Sequence, residues 1–142
     1  MNSEFPAAVH LLVYLAHSTS GSANSEELAE NVGTHPARVR KMMRCLREQG
    51  WVGTREGIGG GYFLRAEPAA IRLADIYRAS CCGGLRPKKP TGSPGSTCPV
   101  SSGISGAMDH YFGEAESRYL DYLDGVTVQD VLHRIVDPRP LP

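Results

Sequence analysis

Thr34–Gly50 reads THPARVRKMMRCLREQG, and the fold turns on how this stretch is placed. Helical spacing puts Val39, Met42, Met43 and Leu46 at i, i+3, i+4 and i+7, one apolar stripe directed at a core. Arg40, Lys41, Arg44 and Arg47 take the opposite arc, with Arg38 at its edge and Glu48 the one acid among them. Thr34 or His35 can cap the start, Pro36 suits the first turn, and Gly50 is a natural stop. One buried face and one basic face suit a helix lying on a phosphate-lined groove. The same pattern describes a solvated amphipathic surface helix, and the stretch alone does not choose between them.

The flanks do. Upstream, Ser25 opens SEELAENVG: Glu26 and Glu27 suit the positive end of a helix, Leu28, Ala29 and Val32 form an inner face, and Gly33 ends it. Two short helices joined at Gly33–Thr34, the second longer and basic, form a helix-turn-helix pattern. Downstream, residues 51–55 are extended and β-prone, residues 57–61 supply a glycine-rich tip, and residues 62–64 return. A hairpin directly after the basic helix is a wing, and glycines at its tip allow close approach to a phosphate backbone. The glycines lack the Gly-Lys-Ser/Thr ending of a nucleotide loop, and no helix begins after them. Before all of this, Phe5, Ala8, Val9, Leu12, Leu15 and Ala16 mark a core helix, followed by a Ser/Thr/Gly loop over residues 18–24. His10 and His17 have no second ligand at helical spacing and are surface or packing residues.

The chain has 142 residues and a formal net charge of zero, room for one domain with a real core or a small domain plus an extension. Neutrality hides a polarised distribution. Arg38, Arg40, Lys41, Arg44, Arg47 and Arg55 face one acid, Glu48, while Asp109, Glu114, Glu116, Asp121, Asp124 and Asp130 face one base, Arg118. The N-terminus lacks the basic region of a signal peptide, and no apolar run approaches membrane-spanning length. The expectation is a cytoplasmic protein without membrane contact, its cysteines reduced at rest.

Gly57-x-Gly59-Gly60-Gly61-Tyr62-x-Leu64, then Pro68, then Ile71-x-Leu73-x-Asp75-Ile76-Tyr77-x-Ala79, resembles the Rrf-type bacterial winged-helix regulators, the family of IscR, NsrR and CymR. The resemblance runs from the first helix to about Ile135. Cys98-Pro99-Val100, followed by a long helix containing Phe112, is similar to the YwnA-like branch, many of whose members carry no cluster. It implies a mainly α fold with a small β-hairpin: a winged helix-turn-helix DNA-binding domain plus a long C-terminal dimerisation helix. It further implies a dimeric DNA-binding transcription regulator, most often a repressor, on a palindromic operator. Carried over by position, the family's contact sites fall on His35, Ala37, Arg38 and Arg40, plus the wing. The DNA-binding set expected here is Ser25, Thr34, His35, Arg38, Arg40, Lys41, Arg44, Arg55, Ile58, Gly59, Gly60 and Tyr62. One departure stands out. Many members carry arginine immediately before the first wing glycine, where this chain has Glu56. Arg55 stands one residue earlier, on the other strand face if the register is kept, so either the register shifts or Ile58 makes the tip contact.

Residues 71–80 form a helix with Ile71, Ala74 and Tyr77 or Ile76 inward. Residues 81–98 are rich in Gly, Pro, Ser and Lys, a mobile linker in which Arg86, Lys88 and Lys89 keep the loop solvated. From Pro99 to about Leu123, Val100, Ile104, Met108, Tyr111, Ala115, Tyr119 and Tyr122 recur at threes and fours. Such a stripe is covered by a second copy of itself or by its own domain, and two half-sites on one duplex favour the copy. Residues 126–135 close the fold, and Pro138, Pro140 and Pro142 keep the tail non-helical. The expected organisation is therefore 1–80 DNA-binding domain, 81–98 sensor loop, 99–136 dimerisation and closing helices, and 137–142 tail.

Cys45 borders the buried stripe and is expected to be a small core residue. Cys81, Cys82 and Cys98, an adjacent pair and a long gap, are spaced poorly for an iron–sulfur cluster, since neighbouring residues rarely aim both sulfurs at separate corners. No cofactor or metal is expected. Pro99 at a first helical position puts Cys98 at the N-cap, where the helix dipole favours the thiolate. Cys98 is thus either a redox or electrophile sensor, with Cys81 or Cys82 as partner thiol, or an inert cap. A cluster-sensing regulator and a winged-helix protein-interaction module are the alternatives. No His/Asp partner or nucleophile motif supports an enzyme.

Overall fold

The computed structural model describes residues 4–80 and 84–137. Six helices, a hairpin and a 3-10 turn follow in order: α1 Glu4–His17, α2 Ser25–Val32, α3 Pro36–Glu48, β1 Val52–Arg55, β2 Gly61–Leu64, the 3-10 turn Pro68–Ala70, α4 Leu73–Ser80, α5 Pro99–Leu123 and α6 Val128–Val136. The result is mainly helical with one two-stranded antiparallel sheet, as expected. Among the described residues no helix is long and apolar enough to cross a membrane.

The core forms where the apolar stripes meet. Val39, Met42, Met43 and Leu46 of α3 are buried, with Leu11 and Leu12 of α1, Leu28 of α2, Val52 of β1 and Ile76 of α4. Asn24 caps α2, its side chain accepting from the Glu27 N–H at 2.8 Å. Gly33, at φ 83°, ends α2 in the left-handed conformation and sets the tight turn into α3. In the hairpin Val52 pairs with Leu64 and Arg55 with Gly61. The residues before α2 hold it down, because Ala23 and Tyr62 exchange both backbone hydrogen bonds, at 2.8 and 3.0 Å.

Two helices start later than their apolar spacing predicts, for one reason. The Leu73 N–H donates to the Val126 carbonyl at 2.8 Å, and the Val128 N–H donates to the Ile71 carbonyl at 2.9 Å. This strand-like bridge occupies the backbone that would have formed a first turn, so α4 begins at Leu73 and α6 at Val128. Thr127 and Asp130 then close a capping box on α6. Bridged in this way, and packed on α1 and the 3-10 turn, α6 belongs to the body formed by the N-terminal helices. Apolar spacing alone groups it with the long helix instead.

The long helix is the exception to compactness. Over 25 residues, about 37 Å at 1.5 Å per residue, only Leu123 of α5 is buried, with Tyr119 and Leu120 packed beside it. Val100, Tyr111 and Tyr122 remain 71%, 64% and 73% exposed. The expected stripe is present but mostly uncovered.

Met43→Ala is expected to lower unfolding stability by about 2–5 kcal/mol, because it empties a fully enclosed volume. Ile58→Ala, at a solvent-exposed wing tip, should change it by less than about 0.5 kcal/mol. Urea unfolding of the two variants checks the contrast.

Candidate nucleic-acid interface and sensing thiol

Burying one stripe of α3 forces the opposite arc outward. His35, Ala37, Arg40, Lys41, Arg44 and Arg47 lie outside the buried core. Among the described residues Arg40, Lys41, Arg44, Arg47, Arg55 and Arg65 form no ion pair, whereas Arg72, Arg78 and Arg86 pair with Asp124, Asp75 and Asp109. Asp109, Glu114, Glu116 and Asp121 lie on α5 and Asp130 on α6, while Arg40, Lys41, Arg44, Arg47 and Arg55 lie on α3 and the hairpin, so the polarity seen in the sequence is carried by separate elements.

Several expected contact residues are placed differently from the rest. Arg38 is turned back to the start of α1, where its Nε and terminal nitrogen donate to Glu4 at 3.1 and 2.9 Å, and it reaches Thr34 Oγ1 at 3.4 Å. It is a brace between α1 and α3, since position 38 borders the buried stripe and meets the neighbouring helix. Tyr62 shares a hairpin face with Leu64 and packs, half-buried, against the core. Arg55 lies 4.5 Å over the Phe63 ring on the outer face, so the register is kept and no cation reaches the tip. Ser25 is half-buried and accepts from Arg40 at 3.4 Å, tying the first turn of α2 to α3.

At the wing tip Ile58 stands free in solvent at 110% exposure. Ser22 Oγ donates to the Gly59 carbonyl at 3.0 Å and pins the tip to the body. Gly61, at φ 135°, passes so close to Ala23 that a Cβ would collide with its carbonyl.

Cys98 is the exposed N-cap of α5. No side-chain cap hydrogen bond is closed there, yet the backbone N–H of Ser101, and after it that of Val100, favours the thiolate. The directed N–H groups of a helix start stabilise a nearby anion without full hydrogen-bond alignment, so the pKa falls below the ordinary thiol value. Cys45 is half-buried and donates to the Ala79 carbonyl at 3.1 Å. Cys81 and Cys82 lie outside the described residues.

Residues 84–98 run back along α5 with specific anchors, whereas composition suggests a mobile linker. Glu116 accepts from the Leu85 N–H at 3.2 Å and from Tyr77 Oη at 3.4 Å, Arg86 pairs with Asp109 at 2.9 Å, and the Ser93 N–H donates to the Ser101 carbonyl at 3.0 Å. Leu85 is therefore held near Glu116, 18 residues and about 27 Å along the helix from Cys98.

A family model described as Rrf2, iron-dependent transcriptional regulator, matches residues 1–134. YwnA of Bacillus subtilis (strain 168) is 27% identical over 139 residues, covering 95% of this chain and 98% of YwnA. The HTH-type transcriptional regulator NsrR of Bacillus licheniformis is 26% identical over 134 residues, covering 88% of this chain and 86% of NsrR. A crystal structure of a Lactobacillus plantarum protein superposes with a TM-score of 0.79 at 24% identity, covering 96% of this chain and 92% of that one.

Since its folded pKa is depressed, Cys98 should stay alkylatable as pH falls past the point where an unstructured cysteine has become a neutral thiol. Peptide-resolved iodoacetamide labelling across pH is expected to give a lower midpoint in the folded chain than in urea. Equal midpoints would show that the helix start does nothing for the thiolate.

Proposed function

We propose, from the premise that this chain belongs to the Rrf2 family of transcriptional regulators, that it acts in the cytoplasm as a homodimeric repressor of a palindromic operator and releases it when Cys98 is oxidised. As a transcriptional regulator of this DNA-binding family it is not an enzyme, and its partner is DNA. The observation that carries the reading is the outward basic arc of α3, free of ion pairs among the described residues, beside a glycine-tipped hairpin. His35, Ala37, Arg40 and Lys41 meet base edges, Ser25, Thr34 and Arg44 meet phosphates, and Ile58, Gly59 and Gly60 touch the neighbouring groove. Arg38 holds α3 at its angle through Glu4.

A second copy covers the stripe of α5. Val100, Met108, Tyr111 and Tyr122 supply the apolar surface, and pairing two weak DNA modules multiplies their affinity on a two-fold site. Cys98 supplies the signal. Its thiolate attacks the O–O bond of a peroxide, forming an S–O bond and expelling the other oxygen, which leaves as water after protonation. The sulfenic acid then condenses with a second thiol, releasing water and forming a disulfide. Because Leu85 is anchored far along α5, pairing with Cys81 or Cys82 of the same chain requires that anchor to open. The shift of α5 that follows changes half-site spacing. The adjacent pair Cys81 and Cys82 followed by a long gap to Cys98 is a poor spacing for a resident iron–sulfur cluster.

Fluorescence anisotropy on the duplex upstream of the protein's own gene tests the reading. Arg40→Gln should cost about 1–3 kcal/mol of binding and relax sequence preference. Met108→Asp with Tyr111→Asp should give a monomer by light scattering and weaken binding further. Cys98→Ser should bind normally but no longer release on peroxide. Release that persists in that variant would remove the switch and leave the regulator.

A further inference from the structure

A cleft of about 550 Å³ opens between the C-terminal half of α3 and the outer face of the hairpin. Arg44, Arg47 and Glu48 line it from α3, and Gly53, Phe63 and Arg65 from the hairpin side. The strand register explains the composition. Val52 and Leu64 face the core, so Gly53, Phe63 and Arg65 face out. A Cβ on Gly53 would lie 2.7 Å from Phe63 Cζ and 2.8 Å from Arg65 Cδ. The missing side chain is what lets the ring and the arginine stem lie flat across the strand. Arg55 stacks on the same ring at 4.5 Å. Four guanidinium groups thus surround an aromatic floor, and Glu48, close by, forms an ion pair with none of them among the described residues.

We propose that this cleft seats one sugar–phosphate strand of the bound duplex, with Arg47 and Arg65 on the phosphate and the Phe63 ring against the deoxyribose. The inference rests on the DNA reading above and goes beyond it by assigning the charged work of the wing to its flank. Helix geometry supports the placement. From Arg40 to Arg47 is about 10 Å along α3, close to the major-groove width of about 12 Å. With Arg40 at base edges, Arg47 therefore arrives at the strand bounding the groove. The tip carries Glu56 and Ile58 and has no cation to offer, whereas the flank presents Arg55 and Arg65. Guanidinium forks match phosphate oxygens, and an apolar ring matches the sugar between them.

The test uses the full chain, a labelled mixed-sequence duplex and the duplex upstream of its own gene, with salt varied over about 50–200 mM. For Arg47→Gln with Arg65→Gln the slope of log affinity against log salt should shrink by about 0.9 for each phosphate no longer neutralised. The preference for one duplex over the other should be unchanged. Gly53→Ala keeps every charge but pushes Phe63 and Arg65 aside, and should weaken both duplexes alike. Arg118→Gln with Arg134→Gln, on α5 and α6, is the control for net charge and should leave the slope as in wild type. A wild-type slope and affinity in the Arg47/Arg65 variant overturns the cleft while the DNA reading stands. Absence of salt-dependent binding in the wild type overturns both. Should the double variant melt early by circular dichroism, the single Arg65→Gln, at a position outside the buried core, carries the comparison.

Discussion

Everything on the outward basic arc of this protein depends on the burial of four side chains that are not part of it. Val39, Met42, Met43 and Leu46 fix the rotation of α3, and with it which residues point out. Enclosing side chains of this size contributes about 1.5–3 kcal/mol each. A helix turned by one residue, about 100°, would expose part of this stripe and drive Arg40 or Arg47 toward the core, where an unpaired charge is far more costly. The basic arc needs no interaction of its own to hold its direction. Hydrophobic packing sets it, and the Arg38–Glu4 bridge only trims the angle between α3 and α1. That bridge is about one-third exposed on both sides, so its contribution to stability is small.

A second constraint comes from the opposite end of the chain. The bridge between residues 71–73 and 126–128 anchors α6 on α1, and the C-terminal turns of α5 must end where that bridge begins. Tyr119 packs on Tyr77 at 5.2 Å, and Tyr77 on Phe5 at 5.4 Å, an aromatic chain linking the base of α5 to the body. The rest of α5 projects away with its apolar side uncovered. The projecting part joins the body at its base, close to Tyr77 and Glu116. The loop from Leu85 joins the same place.

The parts of this architecture legible in the sequence are those governed by local periodicity. The stripe of α3, the Gly33 turn, the glycine-tipped hairpin and the Pro99 start of α5 each follow from neighbours within about one or two helical turns. The misplaced parts depend on distant residues. Ile71 and Val126 have helical spacing, but each gives its first turn to a partner more than fifty residues away. Arg38 looks like a reader of DNA until Glu4, 34 residues earlier, is known to lie beside it. The linker looks mobile by composition, and only the fold brings Glu116 to Leu85. The outward pair Phe63 and Arg65 was open to inference, because strand alternation with Tyr62 and Leu64 places them there. The glycine tip is the louder signal, and it points away from the flank.

The electrostatics of α3 then have a consistent direction. Arg40, Lys41, Arg44 and Arg47 repel one another at i+3 and i+4 spacing, costing a few tenths of a kcal/mol per pair. Glu48, four residues after Arg44, offsets only part of this. The chain carries enough carboxylates to neutralise the helix, since acids and bases are equal in number, yet Glu48 is the one acid on α3, while Asp109, Glu114, Glu116, Asp121 and Asp130 sit on α5 and α6. Residues selected for fold stability alone would have mixed the signs on each face. Segregating them leaves α3 and the hairpin flank under mutual repulsion, which a strand of phosphates relieves and water only screens.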